Sequence, residues 1–250
     1  MIHSFLLIGQ SNMAGRGRIE DAPKISNPRI KVLRNGRWQK LFVPVNPDRS
    51  FSGVSLAESF ADAYSKEHDV DVGLIPCADG GTSLFQWQEG GLLYDNAVYQ
   101  SRLADRTSTI VGVLWHQGEA DCAPNLAAEY YDKALAIFNA LRRDLNLGDI
   151  PFVLGGLGDF LVHHPTSPYL HNYKAVNAQL EKIARENELY GFASAEGLES
   201  NGDFLHFNSP ALRELGLRYY EQFKKLEKLD RVFVEKSSPD DAVRTAMEEL

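Results

Sequence analysis

Ser11 stands just past an apolar run, Ile2 to Ile8, inside the block Gly9-Gln10-Ser11-Asn12-Met13-Ala14-Gly15. A serine at such a place, beside glycine and small residues, can expose its hydroxyl and keep its backbone N–H free, as a nucleophile requires. Taken alone it is equally a polar turn or a helix cap. Asp203 and His206 lie three residues apart ahead of Asn208-Ser209-Pro210, where Ser209 as cap and Pro210 as first helical residue start a helix. From a loop there, His206 can engage Asp203 through one ring nitrogen and keep the other free as a base. An isolated pair of this spacing also serves as a plain structural contact.

Two further stretches follow apolar runs. In Ala78-Asp79-Gly80-Gly81-Thr82-Ser83-Leu84 the glycine pair lets a backbone N–H approach a ligand closely, or simply meets the needs of a turn. In Trp115-His116-Gln117-Gly118-Glu119-Ala120-Asp121 the Gln117 amide can donate to an oxyanion, while His116 and Glu119 are as readily groups that support the site from behind. Trp87, in a glycine-rich stretch, is a candidate sugar contact; Tyr94 and Tyr99 suit a helix core equally well. His163, His164, Asp159 and His171 match no common metal-ligand spacing. Gly9 to Arg18 lacks the Lys-Ser/Thr end of a P-loop, and Gly15-Arg16-Gly17 does not continue into G-x-G-x-x-G, so a nucleotide site is not expected.

Positioning these residues falls to runs of β-branched, aliphatic and aromatic residues at Ile2 to Ile8, Val70 to Pro76, Ile110 to Trp115, Pro151 to Gly155 and Leu189 to Ala193. Most are apolar at successive positions, the pattern of strands buried on both faces of a parallel sheet. Helical periodicity occupies Ser55 to His68, Asp95 to Arg106, Leu126 to Leu145, Leu170 to Asn187 and Pro210 to Leu229, the first opening on capping-box spacing between Ser55 and Glu58. The alternation predicts a three-layer α/β domain with sites at the carboxyl ends of its strands. Asn35-Gly36, between Lys31-Val32-Leu33 and Trp38-Gln39-Lys40-Leu41, predicts a type I′ hairpin as an excursion over one edge. No repeat or linker divides the chain, which reads as one domain over 1–230 with an extension at 231–250, where Ser237 to Asp241 is placed to cap a short helix.

With 250 residues, 44% of them hydrophobic and 24% charged, the composition is that of a globular chain. A net charge of −8 is opposite in sign to a phosphate-binding surface, and no run approaches the ~20 apolar residues of a membrane span, so nucleic acid and membrane are not expected partners. Met1 to Gln10 lacks the features of a secretory leader, which predicts a cytoplasmic protein unless a leader has been removed. Cys77 and Cys122 are too few for a disulfide framework and read as reduced thiols.

Together the blocks supply nucleophile, oxyanion donors, orienting acid and base in the chain order Ser, Asp, His. From about Ile2 to Leu226 the sequence resembles the SGNH hydrolase superfamily, and within it the carbohydrate acetylesterases that include sialate O-acetylesterases and acetyl xylan esterases. The resemblance rests on Gly9 to Met13, Gly80 to Ser83, Trp87 to Tyr94, His116 to Glu119 and Asp203 to Phe207; the chain has Gly-Gln-Ser in place of the usual Gly-Asp-Ser, and Gln117 where many members have Asn. It implies a flavodoxin-like sheet of five parallel strands and deacetylation of sugar hydroxyls without metal or cofactor. It also implies Ser11, His206 and Asp203 as a triad, with an oxyanion hole from the Ser11 N–H, a Gly80 or Gly81 N–H and the Gln117 amide. Gln10, Arg16, Trp87, His116 and Glu119 are the expected substrate contacts or supporting groups. Rival readings are an esterase of longer acyl chains, a non-catalytic sugar-binding protein, and a metal-dependent hydrolase built on His163 and His164.

Overall fold

The apolar runs form the strands expected of them, and a computed structural model describes residues 1–227 and 236. In chain order the elements are β1 (Ile2–Gly9), α1 (Ser11–Ala14), β2 (Ile30–Arg34), β3 (Arg37–Lys40), α2 (Ala57–His68), β4 (Asp71–Pro76), α3 (Leu84–Trp87), α4 (Leu92–Ala104), β5 (Thr109–His116), α5 (Pro124–Asp144), β6 (Phe152–Gly155), α6 (Tyr173–Glu186), β7 (Tyr190–Ala193) and α7 (Ser209–Leu226). The helix expected near Ser237 lies outside the described residues.

The sheet holds seven strands in the order β3-β2-β4-β1-β5-β6-β7 rather than five. The difference is the hairpin. Asn35 and Gly36 both take positive φ, 50° and 72°, as a type I′ turn demands. Instead of passing over the edge, β2 pairs in parallel with β4, and β3 closes the sheet antiparallel. Ile30 and Val32 are fully buried, and the Trp38 ring lies against Gly73 of β4, so the hairpin covers an edge that would otherwise stand open.

Helices cover both faces. Phe5 of β1 packs edge-on against Phe60 of α2 and Phe223 of α7, at 4.8 and 5.4 Å between ring centroids. On the opposite face Trp115 of β5 meets Phe138 of α5 at 5.2 Å and Trp87 of α3 at 5.7 Å. Burial on both sides explains why β1 and β5 read as unbroken apolar runs.

The chain moves outward from β1 to β2, β3 and β4 on one side and to β5, β6 and β7 on the other. The carboxyl ends of β1 and β5 therefore form the switch point at which ligands of open α/β sheets collect. There the Gln10 N–H donates to the His116 carbonyl at 2.9 Å. Gly9 permits that closeness: its φ is 134°, and a Cβ there would stand 2.1 Å from the His116 carbonyl oxygen.

Candidate active site

Ser11 opens the single turn of α1 immediately after β1, and among the described residues no hydrogen bond engages its N–H. Its Oγ lies 3.0 Å from His206 Nε2, and His206 Nδ1 lies 2.6 Å from Asp203 Oδ2. The other Asp203 oxygen, Oδ1, accepts from the backbone N–H groups of Leu205 and His206, each at 2.8 Å. Burial pushes the Asp203 carboxyl up, but the His206 ring and these backbone donors outweigh it and hold it down at about 2. The structure thus brings Ser11, His206 and Asp203 into one relay across 195 residues of sequence.

The loop carrying His206 is tied to the serine turn by Asn12, which sequence reasoning passed over. Its Nδ2 donates to Glu119 Oε1 at 2.5 Å and to the Leu205 carbonyl at 3.2 Å, while its Oδ1 accepts from the Phe207 N–H at 3.2 Å. The signal was available in the Gly9 to Met13 block, where asparagine directly follows the serine. Behind it, His116 is fully buried, with Nδ1 3.1 Å from the Tyr219 hydroxyl and Nε2 3.7 Å from Glu119. Burial raises the Glu119 carboxyl, but His116 and Asn12 outweigh it and hold it below the usual range. His116 and Glu119 therefore support the site as one of their two expected roles allowed, and Glu119 also lines the cavity.

The expectation for Gln117 is corrected, the choice between Gly80 and Gly81 is narrowed, and Trp87 proves not to be a substrate contact. The Gln117 side chain is fully buried: Nε2 donates to Asp121 Oδ2 at 2.5 Å and to the Thr82 carbonyl at 3.1 Å, while Oε1 accepts from Tyr130 at 3.0 Å. Its amide is held inside the protein rather than toward Ser11. The Gly80 N–H is likewise engaged, by Asp48 Oδ2 at 2.8 Å, which leaves Gly81 as the glycine of the pair whose N–H has no acceptor among the described residues. Trp87, a candidate substrate contact or supporting group, is fully buried, donates to Thr82 Oγ1 at 3.0 Å and packs on Trp115, which leaves it no face for sugar. By contrast, Gln10 lines the cavity beside Ser11. Its Oε1 accepts long bonds of 3.4 Å from Gln117 Nε2 and from the N–H groups of Gly118 and Ala120, and its Nε2 makes no hydrogen bond among the described residues.

Arg16 borders the same cavity, but Asp48 holds its guanidinium at 3.0 and 2.7 Å with both side chains buried. Burial pushes the Asp48 carboxyl up, and hydrogen bonds from Arg16, Ser52 and the Gly80 N–H more than offset it. A Cβ at Gly80 would stand 2.5 Å from the Arg16 guanidinium, so a side chain there would press on the Arg16–Asp48 pair. Arg49 pairs with Asp79 at 2.8 Å and donates to the Gly80 carbonyl at 3.0 Å. Asp48 and Arg49 lie in a polar loop whose composition marks a turn but does not say toward which end of the sheet it returns.

The histidines weighed as metal ligands make ordinary loop contacts. His163 faces the Phe204 ring, His164 Nδ1 accepts from the Ser167 N–H, and Asp159 accepts from Tyr173. Among the described residues no group of three or more His, Cys, Asp or Glu is placed to hold a metal ion. The helix N-cap expected at Ser209 is Asn208, whose side chain accepts from the Ala211 N–H, because Ser209 is buried and donates to the Arg18 carbonyl.

Compared with known proteins, residues 1–225 match the family model described as carbohydrate esterase, sialic acid-specific acetylesterase. The chain belongs to that family. It is 30% identical over 242 residues, 85% of this chain and 86% of the other, to a protein of Arabidopsis thaliana named "Probable carbohydrate esterase". The crystal structure of that plant protein matches with a TM-score of 0.77 at 27% identity, over 89% of this chain and 97% of that one. NanS shares the fold with a TM-score of 0.71 at 18% identity, over 90% of this chain and 97% of its own. A carbohydrate acetylesterase from Xanthomonas citri does so at 0.66 and 17%, over 90% of this chain and 56% of that chain. The expected three-layer fold therefore holds, with the strand count corrected.

Proposed function

We propose that the protein is a serine esterase that removes O-acetyl groups from carbohydrates through an acetyl-enzyme intermediate. The observation that carries this reading is the Ser11–His206–Asp203 relay opening on a cavity of about 300 Å³. That volume is at the small end of ligand pockets, which run from about 300 to 1,000 Å³, and suits an acetyl group on one sugar ring.

In the proposed reaction Ser11 Oγ attacks the acetyl carbonyl carbon while His206 Nε2 takes the hydroxyl proton. Asp203 holds Nδ1 and offsets the positive charge on the ring. The carbonyl oxygen becomes an oxyanion that meets the Ser11 N–H, the Gly81 N–H and Gln10 Nε2, each donor contributing about 3 kcal/mol of transition-state stabilisation. Collapse breaks the bond to the sugar oxygen, which leaves with the proton from His206. Water then loses a proton to His206, attacks the acetyl carbon and releases acetate, returning the proton to Ser11.

The test is acetate release from acetylated xylose and from O-acetylated sialic acid, with the wild-type protein beside Ser11→Ala. Release that disappears in the mutant is the expected result; release that persists overturns the mechanism. A steep fall from acetyl to butyryl esters is expected because added methylenes clash in so small a cavity, whereas a flat profile favours an esterase of longer acyl chains.

A further inference from the structure

Two large rings stand open to solvent at the wall of the cavity above Ser11. Phe51 is 67% exposed and Tyr169 44%, although Trp87, Tyr94 and most other aromatic side chains of the described chain are buried. Phe51 lies on the loop that carries Asp48 and Arg49, and the Arg16 guanidinium sits 5.3 Å from its ring centroid. Tyr169 lies in a short 3-10 turn, residues 168–172, after β6. Exposed rings of this size, beside a nucleophile and away from the core, are the surfaces on which the apolar face of a sugar ring packs.

The charges around the cavity are uneven. Its two arginines are both already paired: Arg16 with Asp48 at 2.7 Å, and Arg49 with Asp79 at 2.8 Å. Two more carboxylates are close, Glu119 in the cavity wall and Asp203 behind His206. Glu119 is the carboxylate in the cavity lining, while Asp48, Asp79 and Asp203 stand behind the Arg16, Arg49 and His206 side chains they pair with, so neither guanidinium is left without an acidic partner. A carboxylate on the substrate would meet repulsion without a free cation to balance it.

Resting on the esterase reading above, we infer that this site selects an uncharged acetylated sugar ring over an acidic one, with Phe51 and Tyr169 as the surfaces on which the ring packs. Neutral sugars lose nothing to the surrounding carboxylates and gain the ring contact. Asp79 is the switch of this arrangement, because removing its charge leaves Arg49 at the mouth with only the more distant Asp48 carboxylate, 3.8 Å away and already held by Arg16.

The experiment measures kcat/KM on the intact protein for four esters: ethyl acetate, an O-acetylated methyl xyloside, O-acetylated N-acetylneuraminic acid and the methyl ester of that acid. The xyloside is expected to exceed the free acid at least tenfold, and the methyl ester to recover most of the deficit, which separates charge from shape. Phe51→Ala and Tyr169→Ala are each expected to raise KM for the xyloside about tenfold with kcat changed less, and to cost more on the xyloside than on ethyl acetate, which has no ring. Asp79→Asn is expected to raise kcat/KM for the free acid several-fold while leaving its methyl ester nearly as before. Free acid turned over as well as its methyl ester, or ring variants that lose equally on ethyl acetate and xyloside, would overturn the inference and leave the esterase reading standing. Ester hydrolysis that survives Ser11→Ala, or none by the wild type, would remove the esterase reading and this inference together.

Discussion

Exchanging Gln10 for glutamate isolates one atom of the proposed oxyanion site. Glutamate keeps the length of the side chain, so one carboxylate oxygen can still accept from Gly118 and Ala120 as Oε1 does at 3.4 Å. The other replaces the Nε2 donor with a negatively charged acceptor. Loss of the donor alone costs about 3 kcal/mol, roughly a hundredfold in kcat. Repulsion between the new charge and the oxyanion, about 4 kcal/mol at 4 Å and an effective dielectric of about 20, sets the upper limit. A fall in kcat of at least about a hundredfold is expected in steady-state hydrolysis of an acetyl ester, with the Michaelis constant changed much less. Gln117→Ala provides the contrast, because its amide satisfies Asp121, Thr82 and Tyr130 and reaches the cavity only through a long 3.4 Å bond to Gln10 Oε1. It should lower unfolding stability by about 1–3 kcal/mol, a Tm decrease of roughly 2–4 °C for each kcal/mol in a chain of this size, and cost kcat less than Gln10→Glu does. If Gln10→Glu keeps kcat within fivefold while Gln117→Ala loses a hundredfold, the reading of the two amides is wrong.

Asp203→Asn turns an acceptor at His206 Nδ1 into a donor and so fixes the ring with its hydrogen on Nε2, where it cannot take the Ser11 proton; kcat should fall by about 10³–10⁴, and a loss under tenfold would show that the carboxylate is dispensable. Asn12→Ala cuts the ties between the serine turn and the Leu205–Phe207 loop, so hydrogen exchange at 203–207 should quicken and kcat should drop at least tenfold, with unchanged exchange counting against the clamp. Asp48→Asn leaves Arg16 buried without its counter-charge, a loss of about 3 kcal/mol by denaturant unfolding near pH 7. Since the Asp48 carboxyl is held below its ordinary value of 3.8, the wild-type advantage should be complete above that pH and fade as pH falls through the lower folded value; an advantage that grows in acid would contradict the pairing. Burial pushes the Cys77 thiol up to about 12 and Cys122 further, so native protein at pH 8 should resist iodoacetamide and denatured protein should take up two equivalents.

Where a feature depends on local pattern, the sequence displayed it. The strands from Ile2, Val70, Ile110, Pro151 and Leu189 fall within one or two residues of β1, β4, β5, β6 and β7, because burial on both faces leaves an apolar run that needs no partner to recognise. The Asn35-Gly36 turn was legible for the same local reason, but the pairing of β2 with β4 was not, since Ile30 and Val32 are apolar whichever edge they cover. Ser11, Asp203 and His206 declared themselves through strand-end placement and spacing. What stayed hidden were choices between equivalent donors. Whether the amide of Gln10 or of Gln117 faces the cavity depends on where Asp121 and Thr82 arrive in space, and the engaged N–H of Gly80 depends on Asp48, 32 residues away. Trp87 was misread because an aromatic beside glycines looks exposed until Trp115 and Thr82 close over it.

The most direct test of the account is the mass of the Ser11 peptide after the protein is mixed with an acetylated sugar and quenched in acid within milliseconds. The account predicts an added acetyl group on Ser11 that decays as acetate appears and is missing from Ser11→Ala. Acetate formed at full rate with the Ser11 peptide never modified, or an acetyl group trapped on another residue, would contradict it.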